Sequence, residues 1–229
     1  QAVFSTTKPM DSSAEQKISE VAKDEEKEKP CELMAKVQQC CRCATDPAPF
    51  PSPALEINTL EPPDVSVLQG LDILGWAPRE HLSADENGCD LTLILARNSQ
   101  CKGGSMGCAI VNPSGRIVAV GVNRPIWEPN AKNPCSDVHA EVGAIGVCAR
   151  TGMPTEGCTA YITMPPCLKC FMVLAWAGIA RIVTRKNPCE QDGRRIHPAV
   201  KRMGIDWRII PDTEERRAHI DELASRRKR

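Results

Sequence analysis

The chain has 229 residues, 41% hydrophobic and 25% charged, with 29 cations balanced by 29 anions. That length fits one ordinary domain plus appendages, and zero net charge excludes a general electrostatic pull toward nucleic acid or membrane. No apolar run reaches the roughly 18 residues of a transmembrane helix, and thirteen cysteines, an odd number, do not suit a fully disulfide-paired scaffold.

Thiols in this number fit a reducing compartment. The chain opens on Gln1, as a processed or trimmed product would, and its polar start carries no intact secretory signal. The expected location is therefore intracellular, cytoplasmic or nuclear, with an organelle left open because a presequence could have been removed.

Residues 1–45 read as a disordered or partly helical extension. "EQKISEVAKDEEKEKP" holds too few large apolar side chains to offset the entropy of ordering. "CELMAKVQQCCRC", Cys31 to Cys43, suits a short helix. Cys40, Cys41 and Cys43 lack C-x-x-C spacing and read as plain thiols. Residues 46–64 carry six prolines and read as an extended linker. Residues 65–88 read as an ordered lead-in that packs on the domain.

From Cys89 the pattern sharpens. "DLTLILARNSQC" predicts a helix with Asp90 near its start, and "GCAIVNPSGRIVAVGV" predicts two buried strands around a Pro-Ser-Gly turn. Asp137 is the expected cap of a helix running to Arg150 and carrying His139 and Glu141 in its first turn. "TAYITM" is a third strand. Pro166 then opens a helix, where its missing N–H costs nothing, and Gly178 closes it. "ARIVTR" and "DWRII" are the fourth and fifth strands, parallel because a helix joins them, and a last helix starts near Thr213. The expected fold is a three-layer α/β/α sandwich on a five-stranded mixed sheet.

"VHAEVGAI", Val138 to Ile145, and "TMPPCLKC", Thr163 to Cys170, carry the chemistry. Cys167 and Cys170 are three apart on one helix and face the same way. Near a helix N-terminus the dipole favours thiolate, the form that binds zinc. His139 adds a nitrogen, and three protein ligands leave a fourth tetrahedral position open for water. Zinc lowers the pKa of such a water to roughly 7, and Glu141, two residues from His139, is placed to move protons. The alternative is a helical histidine, a surface glutamate and two thiols that never meet.

H-x-E followed by P-C-x-x-C is the signature of zinc nucleobase deaminases. Over about Cys89 to Ile210 the sequence resembles the cytidine and deoxycytidylate deaminase superfamily. The resemblance implies Zn2+ held by His139, Cys167 and Cys170, Glu141 as proton shuttle, Asn123 in "GVNRP" touching substrate, and a homo-oligomer. It makes residues 89–229 a zinc deaminase domain with a basic C-terminal helix.

"LARNSQCKGGSMGCAIV", "GCTAYITMPPCLKC" and "AGIARIV" are similar to deoxycytidylate deaminases, which implies a cytosine-type nucleotide. Two departures stand against them: Gly143 replaces the usual asparagine of H-A-E-x-N-A, and the loop from Arg124 to Val138 is short. "NRPI" and that loop look like tRNA adenosine deaminases instead, with RNA as partner and the terminal "RRKR" as a basic surface. A non-catalytic zinc-binding partner subunit is the third reading; its usual mark, loss of the glutamate, is missing here. "KGGSMG" has no G-K-[ST] and is no P-loop, no H-E-x-x-H occurs, and His81, His197 and His219 stand alone.

Overall fold

A computed structural model of the chain describes residues 55–101, 103–127 and 137–226. The helix expected over Cys31–Cys43, the rest of the 1–45 extension, residues 46–54 of the linker and the last residues of "RRKR" lie outside them.

Runs of β-branched and small apolar residues set the centre. "GCAIV" and "IVAVGV" pair antiparallel as β1 (Gly107–Val111) and β2 (Ile117–Val122). Their turn is fixed by Asn112, whose side-chain oxygen accepts from the backbone N–H groups of Ser114 and Arg116 at 3.1 and 2.9 Å. A short ribbon follows, β3 (Arg124–Pro125) against β4 (Asp137–Val138), which the sequence reading did not foresee. Then come β5 (Thr159–Ile162), β6 (Arg181–Thr184) and β7 (Asp206–Ile209). The five-stranded sheet has the order β2-β1-β5-β6-β7, antiparallel from β2 to β5 and parallel from β5 to β7, the mixed sheet expected.

The helices are α1 (Val65–Leu68), α2 (Ala84–Ala96), α3 (Ala140–Thr151), α4 (Leu168–Trp176), α5 (Glu190–Met203) and α6 (Glu214–Arg226). Strand alternation sends Ala109, Val111, Tyr161 and Val183 into a core with α2 and α6, and Cys108, Ile110, Ala160, Ile162 and Ile182 into a second core with α3, α4 and α5. These two cores make the three layers. Cys89, Cys108, Cys148 and Cys158 pack in them as buried thiols.

Helix α2 begins at Ala84, not near Asp90. Ser83 caps it in a capping box: Ser83 Oγ accepts from Glu86 N–H at 3.2 Å and Glu86 Oε2 accepts from Ser83 N–H at 2.9 Å. Asp90 is instead buried in mid-helix, paired with Arg216 of α6 at 2.7 Å and with Arg79 at 3.3 Å. Residues 55–64 are extended but not a free linker. Ile57 and Leu60 are buried in the first core, Glu61 N–H donates to Gly115 O at 2.9 Å, and Asp64 meets Arg116 at 2.6 Å. Leu68, Leu71 and Trp76 of the lead-in join the same core. No helix among the described residues is long and apolar enough to cross a membrane.

Candidate metal centre and pocket

Strands β2 and β5 run the same way, with β1 antiparallel between them, so their C-terminal ends and the start of β1 share one edge of the sheet. At that edge Thr163 fastens the chain leaving β5: its hydroxyl accepts from Gly107 N–H at 3.0 Å and lies 3.2 Å from Thr92 O. Helix α3 lies close over the end of β2. A Cβ on Gly121 would stand 2.2 Å from Ala140 O and 2.6 Å from Ala144 N, so only glycine admits this approach.

Two helix N-termini meet there. His139 is itself the N-cap of α3, extended at φ −68° and ψ 151°, and Cys167 is the N-cap of α4. Neither side chain caps its helix, because both turn toward each other. This corrects two expectations. Asp137 does not cap α3 but lies in β4, and Pro166 precedes α4 rather than opening it.

His139 Nδ1 lies 3.3 Å from Cys170 Sγ and 3.7 Å from Cys167 Sγ, and the three donor atoms all fall within 4.8 Å of one another. Zinc bonds of roughly 2.0 Å to nitrogen and 2.3 Å to sulfur at tetrahedral angles put such atoms about 3.5 Å apart, so the residues present fit that ion. Exposure grades from buried Cys170 through half-buried Cys167 to exposed His139, leaving the fourth side of the trio toward solvent.

Glu141, 5% exposed, enters from the first turn of α3. Burial raises its carboxyl above the ordinary value, partly offset by a backbone hydrogen bond, the His139 charge and a hydrogen bond with Cys170. Burial also pushes the Cys170 thiol well up, and the Glu141 carboxylate and Cys167 beside it push the same way.

A cavity of about 320 Å³ opens beside His139 and Cys167, walled by Gly103, Gly104 and Met106 before β1, by Ile162 at the end of β5 and by Met164 and Pro165 after it. Asn123 lines it, but both ends of its amide are engaged: Oδ1 accepts from Met106 N–H at 2.8 Å and Nδ2 donates to Gly104 O at 2.8 Å. It braces the wall. Asp137 also lines the cavity and was missed; the signal available was its i, i+2 relation to His139 in an extended stretch. His81 lies 3.6 Å from Glu215, and His197 packs near Trp207, so neither reaches the site. Gly143 faces β2, with room for a Cβ 3.8 Å from Val122 O.

Residues 82–186, which include His139, Glu141, Cys167 and Cys170, match the family described as cytidine and deoxycytidylate deaminase zinc-binding region. The resemblance read from the motifs holds there, and the trio, a group that could hold a metal ion, falls within the matched zinc-binding region. ComE operon protein 2 of Bacillus subtilis (strain 168) is 32% identical over 102 residues, covering 39% of this chain and 52% of that protein. Deoxycytidylate deaminase of Enterobacteria phage T2 is 36% identical over 77 residues, 33% of this chain and 39% of that protein. A probable cytosine deaminase of Schizosaccharomyces pombe (strain 972 / ATCC 24843) is 33% identical over 79 residues, 34% and 44%. The chain thus spans about half, or less, of the length of these curated relatives.

Proposed function

We propose that this chain is a zinc-dependent hydrolase that removes the exocyclic amine of a cytosine-type nucleotide, giving ammonia and the uracil-type product, as a deoxycytidylate deaminase does. The observation that carries the reading is the approach of His139 Nδ1 to the Cys167 and Cys170 sulfurs beside the buried Glu141.

His139, Cys167 and Cys170 would hold Zn2+ through one nitrogen and two sulfurs. When bound, the ion acts as a Lewis acid that makes water nucleophilic near neutral pH. Glu141 would take a proton from the attacking water on a carboxylate oxygen and pass it to the ring nitrogen beside the attacked carbon, then take the remaining proton of the hydroxyl now on that carbon and deliver it to the amine as the C–N bond breaks. Ile162, Met164 and Pro165 give the flat ring an apolar wall and exclude water from it. Asn123, bonded to Gly104 O and Met106 N–H, holds the opposite side of the pocket in shape.

The names of the phage and yeast relatives favour a cytosine-type substrate over adenosine in tRNA. So does the C-terminal helix. Arg216 is buried against Asp90, so this cation of the basic stretch serves the fold rather than an RNA surface. For the homo-oligomer, support comes from α3 and α4, where Val142, Met172 and Trp176 are exposed and a second copy would cover them.

The test is an ammonia-release panel over dCMP, CMP, cytidine, deoxycytidine, cytosine, guanine and a tRNA anticodon stem, with zinc content measured alongside. Release from the cytosine compounds, with dCMP foremost, is expected. Release from the tRNA stem alone would replace this reading with the adenosine one. A zinc-loaded chain silent on every compound would leave the non-catalytic subunit.

A further inference from the structure

Asp137 is a carboxylate that the proposed chemistry does not use. In β4 it pairs with Pro125 while Val138 pairs with Arg124. Because side chains alternate along extended chain, Asp137 and His139 point to the same side, and both line the cavity. Among the described residues, no hydrogen bond or ion pair engages the Asp137 carboxylate. Several other carboxylates among the described residues are partnered, Asp85 by Tyr161 and Arg181, Asp90 by Arg216 and Arg79, and Asp206 by Arg208, but none of these lines the pocket. Asp137 is half-buried and lines the pocket, with acceptor capacity that no described residue takes up.

Depth says which part of a ligand it meets. Glu141, next to the trio, is 5% exposed and marks where the reacting ring must lie. Asp137 is less deeply buried than Glu141 and contributes no atom to the trio, so it faces what is attached to the ring rather than the reacting carbon. The cavity, about 320 Å³, lies within the roughly 300–1,000 Å³ of small-molecule sites and leaves room beyond one pyrimidine. A group that hangs from the base and donates hydrogen bonds to a carboxylate is a sugar hydroxyl.

We propose that Asp137 accepts a hydrogen bond from a hydroxyl of the substrate's sugar, so that the pocket selects a base joined to its sugar over the free base. The inference rests on the deaminase reading for the identity of the base. The bland role for Asp137 is a carboxylate near the N-terminus of α3, favourable to the helix dipole. That role predicts a loss of stability with no change in the ratio between substrates, whereas a hydroxyl contact changes the ratio.

The experiment uses the full, zinc-loaded chain and its Asp137→Ala and Asp137→Asn variants. Initial rates give kcat/KM for deoxycytidine and for cytosine, and calorimetry gives Kd for the unreactive products deoxyuridine and uracil. Loss of a charge-assisted hydrogen bond should lower the deoxycytidine-to-cytosine ratio of kcat/KM by about ten- to a hundredfold in Asp137→Ala. The deoxyuridine-to-uracil affinity ratio should fall in parallel. Asp137→Asn, which keeps an acceptor oxygen, should recover part of both. Ratios unchanged in Asp137→Ala overturn the proposal. A wild type that releases no ammonia sinks the deaminase reading, while the product-binding ratio still decides the role of Asp137.

Discussion

Two carboxylates flank His139 at equal distance in sequence, and their surroundings part them. Asp137 precedes the helix in extended chain and lines the pocket, whereas Glu141 lies in the first turn of α3, buried beside Cys170. Glu141 has hydrogen-bond reach to the reacting region but contributes no atom to the nitrogen-and-sulfur trio. Glu141→Gln is therefore expected to keep full zinc occupancy while turnover falls by about 10² to 10⁴, the usual share of a general acid–base group. Metal analysis beside ammonia release checks both halves, and a near-normal rate would remove Glu141 from proton transfer. At this scale His139, Glu141, Cys167 and Cys170 were legible, because H-x-E and C-x-x-C spacings are local and need only a helix start to orient them. Asp137 was not. Aspartate is a favoured cap, and nothing local says that His139 takes the cap position with its imidazole turned to sulfurs 28 and 31 residues away.

Helix starts decide where those side chains point, and the best-defined start is that of α2. Ser83 and Glu86 satisfy each other's backbone N–H groups, so Ser83→Ala should lower stability by about 1 kcal/mol, read as a shifted urea midpoint. The pH dependence has a definite sign. The backbone and side-chain hydrogen bonds of Ser83 hold the Glu86 carboxyl below its ordinary 4.5. The unfolded chain then binds protons more readily than the folded one as pH falls. The box contributes fully above the unfolded value and its contribution fades as pH drops through the folded one. The gap between wild type and Ser83→Ala should accordingly be largest near neutrality and shrink in acid; a gap that widens in acid would contradict the capping-box account. The S-x-x-E pattern was present in the sequence, yet apolar periodicity drew the helix start to Asp90. The five strands and their order of type were readable from β-branched runs and turn residues. The burial of Ile57 and Leu60 was not, because it depends on the far side of a turn closed by Gly115 and Arg116.

Across the whole molecule, the two cores divide the work. The α2 and α6 face is tied by Asp90–Arg216 and by Asp85, which accepts from Arg181 and from Tyr161 at 3.0 Å; none of these groups touches the trio. The metal site instead joins the N-termini of α3 and α4, which pack on the other face. An ion there binds the folded chain only, since in the unfolded chain His139 and the cysteines are far apart. Its stabilisation follows mass action, about 4 kcal/mol when free zinc is a thousandfold above Kd. For a domain of this size that corresponds to a rise in Tm of roughly 10 °C. Chelating the zinc should therefore lower Tm by that order while far-ultraviolet circular dichroism at room temperature keeps the helical signal, because both apolar cores stay buried. Cys167→Ala should melt near the chelated wild type and respond little to added zinc, having lost one of three donors. Glu141→Gln should respond as fully as wild type, so the same titration separates the residues that hold the ion from the one that moves the proton. Equal zinc shifts in Cys167→Ala and wild type would mean that the ion binds elsewhere and that the meeting of His139 with the two sulfurs is packing alone.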